Sequence, residues 1–169
     1  MTTAALMETD SRQLAGKYLT FMLGPETYGI EILQVQEIIG MLPITRLPKV
    51  SEYIRGVINL RGKVIPVMNL AHRFGLPPRD DTSLSCIIVI QLSLERGTIT
   101  MGMVVDEVSE VVDIDGRNTE EAPDLGGAVD SSFIRGIGKI GDKVAILLDM
   151  ASVVALDALQ ALGLNEGDV

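Results

Sequence analysis

Leu19, Phe21 and Leu23 alternate with Tyr18, Thr20 and Met22, the period-two pattern of a strand, until Gly24-Pro25-Glu26 breaks it as a turn would. Residues 28–32 read as the return strand. Val35, Ile38 and Ile39 then suit one face of a short helical or bulged segment, and Pro43 and Pro48 keep the next stretch extended. Two further apolar runs, 54–60 and 63–70, are separated by Arg61-Gly62. Pro66 has no amide donor, so the strand over 64–68 is expected to lack full pairing on both sides there. Asn69 is placed to cap a short helix over 70–74, which Gly75 stops.

The pattern is written twice. Residues 53–70 lie without a gap over 133–150, with Arg55-Gly56 falling on Arg135-Gly136. Residues 28–39 match 101–112, with Gly29 on Gly102, Val35 on Val108 and Glu37 on Glu110. The offset is larger for the later block, which puts a longer loop in the acidic stretch 113–130. Gly141-Asp142 takes the place of Arg61-Gly62. Glycine first suits a two-residue hairpin with positive φ at its first central residue, whereas Arg61-Gly62 leaves the turn type of the first copy open. Asp149 caps a second helix expected over 151–162, with Val154, Leu156, Leu159 and Leu162 available for burial before Gly163.

Short strands at close spacing and glycine-rich turns predict an all-β fold of two small barrels with short helices, one of them C-terminal. The organisation expected is a flexible tail over 1–16, a folded unit over 17–162 and a tail over 163–169. The unit divides into halves at about 17–80 and 81–162, with the seam at 77–83. Whether terminal strands cross between the halves is open at this level.

With 169 residues, 47% of them hydrophobic, the chain can bury a sizeable core. Its net charge of -9 opposes a phosphate backbone or an anionic lipid surface, and no Lys or Arg cluster offsets it, so neither nucleic acid nor direct membrane contact is expected. The one cysteine, Cys86, lies in an apolar run and reads as a small buried hydrophobe. A disulfide framework is excluded, and a cytosolic home is compatible. Residues 1–16 do not resemble a secretory signal, and no run is long enough to span a bilayer.

Catalytic patterns fail on context. Residues 136–141 match G-x-G-x-x-G, but a strand-like run follows where that chemistry needs a helix. In Asp113-Ile114-Asp115-Gly116-Arg117-Asn118 the glycine comes too early for a calcium loop. His72 is the sole histidine and suits the outer face of its helix; there is no Gly-x-Ser-x-Gly element. No catalytic, cofactor-binding or metal-binding residue is assigned and no cofactor is expected. The runner-up reading is a small β-barrel enzyme or nucleotide-binding module acting near 136–141. Arg61 is the charge of most interest, because Gly141 replaces it in the second copy and its fork of donors suits a partner's carboxylate or carbonyls, although composition alone favours a solvated turn arginine. Arg55 and Arg135, being repeated, read as structural; Glu37 and Glu110 suggest a shared local hydrogen bond, with a functional role for Glu37 left open beside it.

Tyr28-Gly29-Ile30-Glu31-Ile32, Val35-Gln36-Glu37-Ile38, Arg55-Gly56-Val57-Ile58-Asn59-Leu60-Arg61-Gly62 and Val64-Ile65-Pro66-Val67 together closely resemble the CheW family of bacterial chemotaxis coupling proteins. The resemblance runs from about residue 17 to 162. It implies two SH3-like five-stranded barrels without catalysis, linking the cytoplasmic tip of methyl-accepting chemoreceptors to the regulatory domain of the histidine kinase CheA. It also implies a cytoplasmic adaptor brought to membrane-associated arrays by its partners. Carried over residue by residue, Ile32, Val35, Glu37, Ile38 and Arg61 fall in the receptor-binding region, and Ile44, Arg46 and Arg55 on the kinase-facing side. The same module occurs in CheA and, joined to a receiver domain, in CheV; with 169 residues, a free adaptor without either companion is expected here. A scaffold for a pilus-type or other chemosensory output is the nearest alternative.

Overall fold

The computed structural model describes residues 14–94, 97–121 and 131–154. In chain order the strands are β1 (Gly16–Leu23), β2 (Glu26–Glu31), β3 (Val35–Gly40), β4 (Ile54–Leu60), β5 (Lys63–Asn69) and β6 (Cys86–Leu94), then β7 (Gly97–Val105), β8 (Glu107–Ile114), β9 (Thr119–Glu120), β10 (Ile134–Ile140) and β11 (Lys143–Leu148). One-turn helices α1 (Leu70–Arg73) and α2 (Met150–Val153) follow β5 and β11. Asn69 caps the first, its side chain accepting from the His72 amide, and Asp149 caps the second through the Ser152 amide. Most of the helix expected over 151–162 lies outside the described residues, as do 1–13 and 163–169.

Two sheets result, ordered β8-β1-β2-β11-β10-β9 and β3-β6-β7-β5-β4. The repeat equates β2 with β7, β3 with β8, β4 with β10 and β5 with β11, so apart from the short β9 the two orders are one order with the copies exchanged. Hairpin β1–β2 pairs with strands of the second half, and β6–β7 with strands of the first. The sheets therefore do not divide at residue 80. Each hairpin joins its new sheet by a parallel pairing in the same register: Gly29 lies opposite Leu147 and Gly102 opposite Val67. A Cβ on Gly29 would sit 3.1 Å from the Leu147 side chain, and one on Gly102 3.4 Å from that of Val67. The repeated glycines thus mark where the exchanged strands pass close.

Exchange alters what the alternation in β1 means. Leu19, Phe21 and Leu23 enter the core between the sheets, while Tyr18 packs with Ile114, Ala145 and Leu147 in a separate core. Both faces are buried, including Thr20, whose hydroxyl donates to the Glu110 carbonyl at 2.8 Å. A third core inside the other sheet gathers Ile58, Ile65, Val67 and Val89. Between the sheets Phe21, Tyr28, Phe74 and Phe133 form a run with successive ring centroids 6.0, 5.6 and 5.7 Å apart.

Two local expectations resolve differently. The segment after residue 35 is a strand with a bulge between Val35 and Glu37. Val35 packs on the inter-sheet core, Ile39 on the core of its own sheet, and Ile38 points outward, so these residues do not share one face. Pro66 behaves as its missing amide requires: β4 pairs with it through Val57, while pairing with β7 begins only at Val67.

Candidate functional site

Arg61 and Gly62 form the tip between β4 and β5, with φ of 53° and 87°. Both are left-handed, the type I′ pattern, which settles the turn type that sequence leaves open. The Gly62 amide donates to Asn59 Oδ1 at 2.8 Å. In the second copy only Gly141 is left-handed, the type II′ pattern. An arginine in this conformation costs on the order of 1–2 kcal/mol relative to glycine. From this tip its guanidinium reaches across to β3 and donates to the Glu37 carboxylate. The Arg61 side chain is 66% exposed and that of Glu37 27%.

Glu37 and Glu110 do not share a side-chain hydrogen bond. Each lies at the bulge where β3 meets β6 or β8 meets β1, and that backbone feature is what the copies have in common. At Glu110 the backbone amide and carbonyl both bond to the Thr20 hydroxyl; at Glu37 the carboxylate takes Arg61. With Gly141 at the second turn, no arginine is available there.

Around this pair the predicted residues separate. Ile32 and Val35 are half-buried against the inter-sheet core, and Ile38 is 44% exposed. Leu33, in the 3-10 turn joining β2 to β3, escaped sequence reasoning although it is 95% exposed. Its counterpart is Asp106, which accepts from the Gly24 amide at 2.7 Å and faces Arg79 at 3.6 Å. The signal was present in the aligned copies: an apolar residue in one, a structural acid in the other. Exposed Ile38 and Val64 have exposed counterparts, Val111 and Val144, and so belong to the fold as much as to the site.

Ile44, Arg46 and Arg55 come together at the outer edge of β4, where Thr45 exchanges two backbone hydrogen bonds with Val57, at 2.9 and 2.8 Å. A Cβ on Gly56, whose φ is +145°, would lie 2.0 Å from the Thr45 carbonyl oxygen. Glycine is what lets the two backbones meet. Ile44 packs on the core of this sheet and Arg46 is exposed. Arg55, at the bulge between Ile54 and Gly56, holds Asp81 with both guanidinium nitrogens at 3.0 and 2.9 Å. Its repeat partner Arg135 sits at the equivalent bulge and pairs with Glu31.

The discarded chemical motifs have structural roles. Residues 136–141 are a strand and its turn, and a Cβ on Gly138 would meet Ile114 at 2.8 Å. Asp115 accepts from the Arg117 amide at 3.0 Å and from Asn118 Nδ2 at 3.2 Å, closing its loop on itself. His72 is exposed, 3.4 Å from Glu52. Burial pushes the Cys86 thiol above its ordinary pKa, against a smaller lowering by the Val108 backbone, so the reactive thiolate is disfavoured. Among the described residues no group of three or more His, Cys, Asp or Glu could hold a metal ion, and no helix is long and apolar enough to cross a membrane.

A family model described as a CheW-like domain matches residues 17–158. The chemotaxis protein CheW of Klebsiella aerogenes is 32% identical over 85% of this chain and 84% of its own length. That of Rhizobium meliloti is 30% identical over 95% of this chain and 99% of its own. Among solved structures, the scaffolding protein TtCheW from Thermoanaerobacter tengcongensis superposes with a TM-score of 0.76 at 35% identity, over 86% of this chain and 96% of the other.

Proposed function

This chain belongs to the CheW-like family, and from that premise we propose that it is a chemotaxis adaptor coupling the cytoplasmic signalling tip of methyl-accepting chemoreceptors to the regulatory domain of the histidine kinase CheA. The observation that carries the reading is Arg61, kept in a left-handed conformation that glycine fills in the second copy, and tied to Glu37. Backbone strain at an exposed position that the fold does not require points to binding. The receptor-facing surface is then Arg61, Glu37 and Ile38 over Ile32 and Val35, extended by Leu33 and Val64. The kinase-facing edge is Ile44 and Arg46, with Arg55 anchoring it through Asp81. The adaptor catalyses nothing; it acts by binding two states of an array with different affinity, and it reaches the membrane through its partners.

The test is CheA autophosphorylation with a receptor signalling fragment, with and without this protein, alongside co-sedimentation. Stimulation that requires the chain and is lost in Arg61→Ala supports the assignment. Normal coupling by Arg61→Ala, or its unfolding, removes the role given to Arg61. Binding without stimulation turns the reading toward a scaffold for another chemosensory output.

A further inference from the structure

The one-turn helices α1 and α2 occupy equivalent places in the two copies, and the repeat sets Arg73 against Val153 and Tyr53 against Phe133. In space these four residues meet. The Arg73 guanidinium lies 4.6 Å from the ring centroid of Tyr53 and 4.7 Å from that of Phe133, between equivalents drawn from both copies. Its Nε donates to the Val153 carbonyl at 3.0 Å. That carbonyl is at the end of α2, one of the last carbonyls, which the helix's own described turn does not satisfy. Two cation–π contacts and one charged hydrogen bond therefore converge on a single side chain. The two rings are alike in both copies, but the counterpart of the cation is a fully buried valine.

Tyr53 sharpens the picture. Its hydroxyl is buried without a hydrogen-bond partner among the described residues, so it is the ring face that makes the contact with Arg73. Phe74, next to Arg73, packs on Phe133 at 5.7 Å, continuing the contact into the inter-sheet core. Arg73 also stands on a short covalent route. The Arg61 turn leads through β5 into α1, and across the Val153 carbonyl lies α2, the continuation of β11 in the other sheet.

We propose that Arg73 is a latch between the two sheets, fixing their relative setting so that a displacement imposed on one is passed to the other. The transmission part rests on the adaptor reading; the latch itself does not. Such a device needs a cation for the rings and a planar donor for the carbonyl, which arginine combines and lysine does not.

The full chain is compared with Arg73→Met, Arg73→Lys and, as control, Tyr53→Phe. Amide hydrogen exchange over 150–154 is followed beside that of β5, β6 and β10, and each variant is assayed for binding of the receptor fragment and of CheA singly and for kinase stimulation. Arg73→Met is expected to raise exchange over 150–154 at least tenfold while the three strands keep their protection. Arg73→Lys should fall between it and the wild type, and Tyr53→Phe should leave exchange unchanged. Binary affinities should stay within twofold while stimulation drops at least threefold. Unchanged exchange over 150–154, or an equal rise in every strand, overturns the latch. Local loosening with undiminished stimulation overturns transmission. A wild-type chain that neither binds nor stimulates overturns the adaptor reading, and the exchange arm still decides the latch.

Discussion

At Arg61 a residue-scale conflict separates folding from binding. Replacing it with glycine, as the second copy has done, relieves the left-handed backbone but removes an exposed ion pair worth at most about 1 kcal/mol. Arg61→Gly should therefore unfold in urea within about 1 kcal/mol of wild type, yet lose kinase stimulation. A large stability loss would make Arg61 a structural residue. The buried tyrosines give a pH dependence. Burial raises the pKa of both Tyr18 and Tyr28, with Arg135 acting against it at Tyr18 and Glu26 adding to it at Tyr28. Their contribution is complete below about pH 10, where folded and unfolded chains both keep the proton. Above that the unfolded chain ionises first, and stability should fall by up to about 1.4 kcal/mol per pH unit for each tyrosine, read from Tm between pH 9 and 11. A flat profile would show that neither hydroxyl is held neutral by the fold. Arg61 could be singled out in sequence because the repeat lacked it, whereas its contact with Glu37 could not, since it joins a turn to a strand 24 residues away.

Among the elements, the edge of β4 depends on one missing side chain. Gly56→Ala places a methyl on the Thr45 carbonyl in a backbone conformation that alanine rarely adopts. It should destabilise by about 1–3 kcal/mol or more, measured by urea denaturation, and free the segment carrying Ile44 and Arg46. Gly75→Ala, with φ of +72° but nothing within 4 Å, supplies the comparison of conformation without collision. If the two cost the same, the close approach at Thr45 is not what selects glycine. Caps, turns and the half-pairing at Pro66 were legible at this scale because each follows from a local rule about donors or φ. The faces of β1 and β3 were not. Alternation identifies two sides of a strand, but whether both are buried depends on what lies opposite, and a one-residue bulge reverses the sides.

For the molecule as a whole, the exchange of hairpins makes the halves interdependent. Neither 17–80 nor 81–154 contains all the strands of one sheet, since each sheet takes strands from both. Either fragment alone should lack the β-sheet circular dichroism of the whole, and mixing them should restore it; a fragment that folds cooperatively by itself would contradict the pairing described. The sequence by itself determined the duplicated pattern, the turns and caps, the apolar supply for a β-rich core and the membership of the family. It could not determine which hairpin joins which sheet. Because the copies are alike, a hairpin paired within its own half or with the other satisfies the same local periodicity and the same turn chemistry. Only the summed burial of Leu19, Phe21, Tyr28 and their counterparts between two sheets distinguishes them, and that is a property of the tertiary structure. The same holds for the surface: Leu33 becomes an exposed apolar residue, and Arg73 a link between sheets, only once the exchange has set what surrounds them.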